Sequence, residues 1–207
     1  VLGQRLDKRK QHRETGRSAR VAIPIPSIAL VGYTNAGNST LFRSLTGEQA
    51  YISDQLFETL DPTVLRLKLP GCTQVVAADT VGFIRDLPHS LVAAFRATLE
   101  ETVRADLLLH VVDSASPARE QQIADVNGVL REIGADAIPQ LAVWNKIDLR
   151  DQCAGLAPGA ERDEYGRISR VFVSARTGAG LAGLRTAILE AARGRAVAAP
   201  TPVAISL

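Results

Sequence analysis

The chain has 207 residues, 46% hydrophobic and 22% charged, close to globular averages, which excludes wholesale disorder. The length suffices for one well-packed domain plus an appendage and is short for two. No apolar run approaches the roughly 20 residues that span a bilayer, and Cys72, Cys153 and three scattered histidines fall into no metal-ligand or redox spacing, so a cytoplasmic setting and no membrane span are expected.

The net charge of +2 hides an asymmetry. Residues 1–20 carry Arg5, Lys8, Arg9, Lys10, Arg13, Arg17 and Arg20 against Asp7 and Glu14, leaving 17 basic and 20 acidic residues for the rest. Such an arm reads first as the end of a charged helix, and a charged helix can also touch RNA. Ile23-Pro24-Ile25-Pro26 then breaks any helix, because proline removes a donor and disfavours helical geometry in the residue before it. The chain opens on Val1 and contains no methionine, so a piece of a longer protein is expected.

From residue 27 short apolar runs alternate with amphipathic stretches. Residues 28–31, 64–69, 75–78, 107–112, 141–144 and 171–173 read as buried strands. Residues 39–46, 90–103, 118–133 and 181–193 have helical composition and spacing. Strands alternating with helices predict an α/β fold with a doubly wound, mainly parallel, six-stranded sheet. Residues 64–69 and 75–78, joined through Pro70-Gly71, predict a hairpin that supplies one antiparallel edge strand. Residues 151–167 read as an irregular insertion. The expected organisation is therefore a basic helical arm and proline linker over 1–26, one nucleotide-binding domain over 27–194, and a flexible tail or linker over 195–207.

The first apolar run ends in Gly32-Tyr33-Thr34-Asn35-Ala36-Gly37-Asn38-Ser39-Thr40. Strand, glycine-bounded loop and helix is the setting in which successive backbone N–H groups and a helix N-terminus cradle phosphates. Ser39 is placed to hold Mg²⁺. The full phosphate-loop pattern requires lysine before that hydroxyl, and here the position holds Asn38. Alone, this loop reads equally as a structural glycine turn.

Four later segments change the balance. Residues 75–78 lead into Asp79-Thr80-Val81-Gly82, where the aspartate can hold Mg²⁺ through water and the Gly82 N–H can sense a γ-phosphate. Phe57-Glu58-Thr59-Leu60-Asp61-Pro62 lies where a switch loop belongs, with Thr59 as the metal-facing residue. Residues 141–144 deliver Asn145-Lys146-Ile147-Asp148. A carboxylate at Asp148 can accept both the ring N–H and the exocyclic amine of guanine, and leaving it unpaired is costly, so this contact discriminates against adenine. Residues 171–173 lead to Ser174-Ala175-Arg176, whose backbone can meet the guanine carbonyl. Each motif alone is common, but five in this order, each read against an apolar strand, define a guanine-nucleotide-binding G domain with GTP and GDP as its ligands.

The residues between the motifs go further. Residues 32–37, 56–63 (LFETLDPT), 79–101 (DTVGFIRDLPHSLVAAFRATLEE) and 107–113 closely resemble the HflX family of translational GTPases. The likeness runs nearly continuously from Ile28 to Asp148 and more weakly to Ala192. It implies GTP hydrolysis, with ATP accepted by some members, and binding to the large ribosomal subunit and its RNA in ribosome splitting or rescue under stress. It also implies an N-terminal domain joined through the charged helix of which residues 5–20 look like the end. A monomer is expected.

Two positions bear on activity. The family has lysine where this chain has Asn38, and losing one charge-assisted contact to the β/γ-phosphates is worth roughly 2–4 kcal/mol. The position after Gly82, where many GTPases place a water-orienting glutamine, holds Phe83, which cannot orient water by hydrogen bonding. A strongly reduced GTPase is thus expected, with a non-hydrolysing nucleotide- or RNA-binding module as the alternative. No catalytic residue is assigned: Arg85 and His89 read more readily as polar residues of an exposed loop. Trp144 and His110 are expected in the core, and Leu91, Val92, Phe95 and Leu99 form the apolar stripe of one helix.

Overall fold

A computed structural model describes residues 25–47, 63–80, 82, 96–149 and 155–198. The elements in chain order are β1 (Ser27–Gly32), α1 (Asn38–Thr46), β2 (Thr63–Lys68), a 3-10 turn (Pro70–Cys72), β3 (Gln74–Asp79), α2 (Arg96–Val103), β4 (Leu107–Asp113), α3 (Arg119–Glu132), β5 (Gln140–Asn145), β6 (Gly159–Arg162), β7 (Ile168–Phe172) and α4 (Leu181–Ala198). They form a single seven-stranded sheet in the order β2-β3-β1-β4-β5-β7-β6. The pairs β1–β3, β1–β4, β4–β5 and β5–β7 are parallel, as the alternating pattern predicts.

The strand count differs from the expected six, and there are two antiparallel edges rather than one. β2 pairs antiparallel with β3, as the Pro70-Gly71 hairpin predicts, and β6 pairs antiparallel with β7 from within the supposed insertion. The physical reason is exposure: β6 is an edge strand with Glu161 and Arg162 open to solvent, so no buried alternation announces it. Its hairpin is closed by polar contacts instead. One Asp163 carboxylate oxygen accepts the N–H groups of Tyr165 and Arg167 at 2.9 Å each, and the other faces Arg167 Nε at 3.0 Å. Helix α4 also extends to Ala198, beyond the expected helix end at 193.

Along β1 the pleat sends Ile28 and Leu30 to one face and Ala29 and Val31 to the other. On the first face they join Leu41 and Leu45 of α1 and Leu184 and Ile188 of α4; on the second they join Leu99 of α2 and Val126 and Leu130 of α3. Both faces are covered at the centre of the sheet, so β4 is buried almost throughout, reading LLLHVVD with six of its seven residues buried. His110 is 5% exposed, its Nδ1 facing Gln140 Oε1 at 3.2 Å, and burial lowers its pKa despite that hydrogen bond.

β1 is flanked by β3 on one side and β4 on the other, which makes the carboxyl end of β1 a topological switch point. Open parallel sheets bind ligands in the crevice at that point.

Candidate nucleotide-binding site

The loop after β1 turns through two residues with positive φ, Asn35 at 60° and Gly37 at 98°. Gly37 caps α1 without any side-chain hydrogen bond to the helix N-terminus, and its carbonyl accepts the Leu41 N–H at 2.9 Å. The first N–H groups of α1 are thus left for an external acceptor such as phosphate. Glycine is required at 37 twice over, because a Cβ there would lie 2.4 Å from Asn145 Nδ2. Within the loop the Ala36 N–H reaches the Tyr33 carbonyl at 3.0 Å. Ser39 and Thr40 follow, partly exposed, on the first turn of α1.

Asn38 does not point into open solvent. It is 7% exposed, and its Oδ1 lies 2.7 Å from where a Cβ on Gly32 would sit, with no hydrogen-bond partner among the described residues. The amide oxygen thus lies against the end of β1.

Asp79 ends β3 at 4% exposure and stands in register with Leu30 of β1, one strand away from the phosphate loop. The next residue fastens the two strands: the Thr80 hydroxyl donates to the Leu30 carbonyl. Gly82 comes back against the loop so closely that a Cβ there would lie 3.0 Å from the Thr34 Cα. The Asp79–Gly82 turn and the phosphate loop are therefore neighbours.

Asn145, at the end of β5 and 2% exposed, bridges two loops. Its Nδ2 donates to the Ala36 carbonyl at 3.0 Å and its Oδ1 accepts the Ala175 N–H at 2.9 Å. Lys146 takes a positive φ of 67° and places its ammonium 2.7 Å from Asp113 Oδ2, while Asp113 Oδ1 accepts the Ala115 N–H. Asp148 Oδ1 accepts the Ser174 hydroxyl at 2.7 Å, and Ser174 Oγ accepts the Thr177 N–H at 3.1 Å. Asp148 and Ser174, predicted separately from two motifs, thus form one hydrogen-bonded unit. A guanine carbonyl reaching this loop would share the Ala175 N–H with Asn145. A cleft of about 290 Å³ opens between these loops, lined by Gly37, Thr40, Asn145, Lys146, Asp148 and Arg176 among others.

The structure therefore gathers Gly32, Asn35, Ala36, Gly37, Asn38, Ser39, Thr40, Asp79 and Gly82 at one end of the crevice, and Asn145, Lys146, Asp148, Ser174, Ala175 and Arg176 at the other. Thr59, Phe83, Arg85 and His89, together with the basic arm, lie outside the described residues. For Mg²⁺ the donor set fits: the Ser39 hydroxyl and Asp79 carboxylate are hard oxygens, and the ion usually takes one or two protein ligands and completes its shell with phosphate and water.

One participant was not identified from motifs. Asp113 pairs with Lys146, and an acidic residue closing the otherwise apolar β4 is the signal that marks it. Trp144 is half-buried rather than a core residue, lying between the guanidinium groups of Arg119 at 4.6 Å and Arg170 at 4.9 Å, edge-on to Phe172.

A phosphate loop, an Asp-x-x-Gly turn against it and an Asn-Lys-x-Asp strand end clamped to a Ser-Ala-Arg loop, on this sheet, define a GTPase G domain. The chain belongs to the family described as 50S ribosome-binding GTPase, whose model matches residues 27–146. Among its relatives, the GTPase HflX of Escherichia coli K12 is 50% identical over 186 residues, covering 90% of this chain and 43% of that protein. The GTPase HflX of Caldanaerobacter subterraneus subsp. tengcongensis is 47% identical over 189 residues, covering 91% and 42%. These relatives bear out the resemblance to HflX proteins read in residues 28–148. The chain spans less than half the length of each. Among solved structures, a GTP-binding protein from Sulfolobus solfataricus in complex with GDP is 28% identical with a TM-score of 0.62, covering 92% of this chain and 60% of that one.

Proposed function

We propose that this chain is the GTP-binding and GTP-hydrolysing domain of an HflX-type cytoplasmic protein whose nucleotide state switches binding to the large ribosomal subunit and its RNA, and so ribosome splitting. The observation that supports guanine recognition is the Asp148–Ser174 hydrogen bond at 2.7 Å beside the Asn145 bridge. With one oxygen of Asp148 held and Asn145 tying the base loop to the phosphate loop, the carboxylate is preorganised for a ring N–H and an exocyclic amine. Gly32, Asn35, Ala36, Gly37, Ser39 and Thr40 would surround the phosphates through backbone N–H groups and the α1 N-terminus. Bound Mg²⁺, held by Ser39, Thr59 and, through water, Asp79, would neutralise charge between β- and γ-phosphate oxygens.

Asn38 sets the expected weakness. The cradle depends on main-chain donors and needs no lysine to form, but the charge that lysine brings to the β/γ-phosphates is missing. Turnover of GTP to GDP and phosphate is slow in consequence, and Phe83 leaves the attacking water to be oriented by a partner or a rearranged switch. The same position supports a second reading, a nucleotide- or RNA-binding module without turnover. Single-turnover GTP hydrolysis with purified large subunits, comparing this chain with Asn38→Lys, separates them. Subunit-stimulated hydrolysis restored by lysine supports the GTPase; none in either version supports the binding module.

A further inference from the structure

The Ala175 peptide is held at both ends. Its N–H goes to Asn145 Oδ1 at 2.9 Å, and its carbonyl accepts the hydroxyl of Ser44, on the last turn of α1, at 2.7 Å. Asn145 also donates to the Ala36 carbonyl in the phosphate loop, and Ala36 leads back into α1. The result is a closed ring: phosphate loop, Asn145, base loop, Ser44, and the helix that begins at the phosphates.

We infer that Ser44 is a positioning residue for base recognition, setting the Ser174–Arg176 loop at a fixed distance from the phosphate helix. Of the residues in this ring it alone belongs to no nucleotide motif, and it sits more than one helical turn from the phosphate cradle. Its partner is a backbone carbonyl, so the bond sets the loop's position while leaving side-chain chemistry untouched. The next residue reinforces the attachment: the Leu45 carbonyl accepts Arg185 Nη2 of α4 at 2.6 Å, and Leu41 and Leu45 pack with Leu184 and Ile188. Helix α1, the base loop and α4 are thus fastened together, and the base loop follows α1 through Ser44. Removing the hydroxyl leaves the Ala175 carbonyl without that donor and removes the direct tie from this loop to α1, so Asp148, bonded to Ser174 one residue earlier, loses part of its fixed relation to the phosphates.

This inference rests on the proposed guanine-nucleotide reading of the site, and the test keeps the two apart. GDP and ADP dissociation constants are measured with Mg²⁺ for this chain, Ser44→Ala, Ser44→Thr and Thr46→Ala, and again with each variant in the Asn38→Lys background so that weak phosphate binding does not mask the effect. Thr46 loses a hydroxyl from the same helix that, among the described residues, bonds only back to Phe42 and Arg43 of its own helix. Ser44→Ala is expected to weaken GDP about five- to tenfold while leaving ADP nearly unchanged, so that the GDP/ADP preference falls; Ser44→Thr restores it and Thr46→Ala does not alter it. A Ser44→Ala protein with the parent's GDP/ADP preference, whether or not both affinities fall together, overturns the inference. Absence of guanine preference in the parent and in Asn38→Lys overturns the nucleotide reading itself.

Discussion

The Ser174 hydroxyl donates to Asp148 Oδ1 at 2.7 Å across two loops that follow different strands, β5 and β7. The bond occupies one carboxylate oxygen and fixes the other's bearing, which turns a flexible acid into an oriented acceptor pair. Recognition of a base by this residue then depends on its charge and on both oxygens being acceptors.

Asp148→Asn replaces one acceptor oxygen by a donor amide. Guanine presents donors there and xanthine presents a carbonyl, so the variant should lose guanine affinity by about tenfold or more and gain xanthine nucleotides. Titration with GDP and xanthosine diphosphate checks this; an unchanged guanine preference contradicts the role given to Asp148.

Asn145→Ala removes both arms of a buried bridge and leaves the Ala36 carbonyl and Ala175 N–H without it. The expected loss is about 2–5 kcal/mol, or a melting temperature lower by roughly 5–15 °C in a domain of this size. Thermal unfolding measures it, and a shift of less than about 2 °C would show that the bridge is incidental.

His110 supplies a pH signature independent of nucleotide. Burial, the dominant cause, lowers its folded pKa below the ordinary value of 6.5, against a smaller opposing effect of the Gln140 hydrogen bond. The unfolded chain therefore takes up the proton first as pH falls. The stability contributed by neutral, buried His110 is fully present above about pH 6.5 and is lost as pH falls from there through the folded pKa. Melting temperature measured from pH 8 to pH 5 should fall more steeply for the parent than for His110→Gln. Parallel curves would assign the acid sensitivity elsewhere.

The basic arm makes a separate prediction. If residues 1–20 contact RNA, deleting them should flatten the dependence of ribosome or RNA binding on salt, because counterion release scales with the phosphates neutralised. A slope identical with and without the arm leaves it as the end of a helix alone.

How much of this was legible in the chain follows from burial. The β1 and β4 strands are buried on both faces and β3 and β5 chiefly on one, so their apolar runs stand out, and the observed bounds extend the expected ones by one residue at one or both ends. β6 is exposed and charged, and only its pairing with β7 makes it a strand. Motif spacing located Asn145, Asp148 and Ser174 but not the bonds among them, which join residues about 30 positions apart. Trp144 reads as core by type, yet on the flank of β5 its ring packs against Arg119 and Arg170, which no local pattern records.

The central claim is a guanine-nucleotide site whose grip on the β/γ-phosphates is limited by Asn38. Its most direct test is titration of this chain and of Asn38→Lys with GDP, GTP and ATP in Mg²⁺. The account predicts guanine preference in both proteins, GDP favoured over GTP in this chain, and a gain of roughly 30-fold or more in GTP affinity on restoring lysine, in line with about 2 kcal/mol or more for the missing charge-assisted contact. Equal GTP affinity in the two proteins, or no preference for guanine in either, would contradict it.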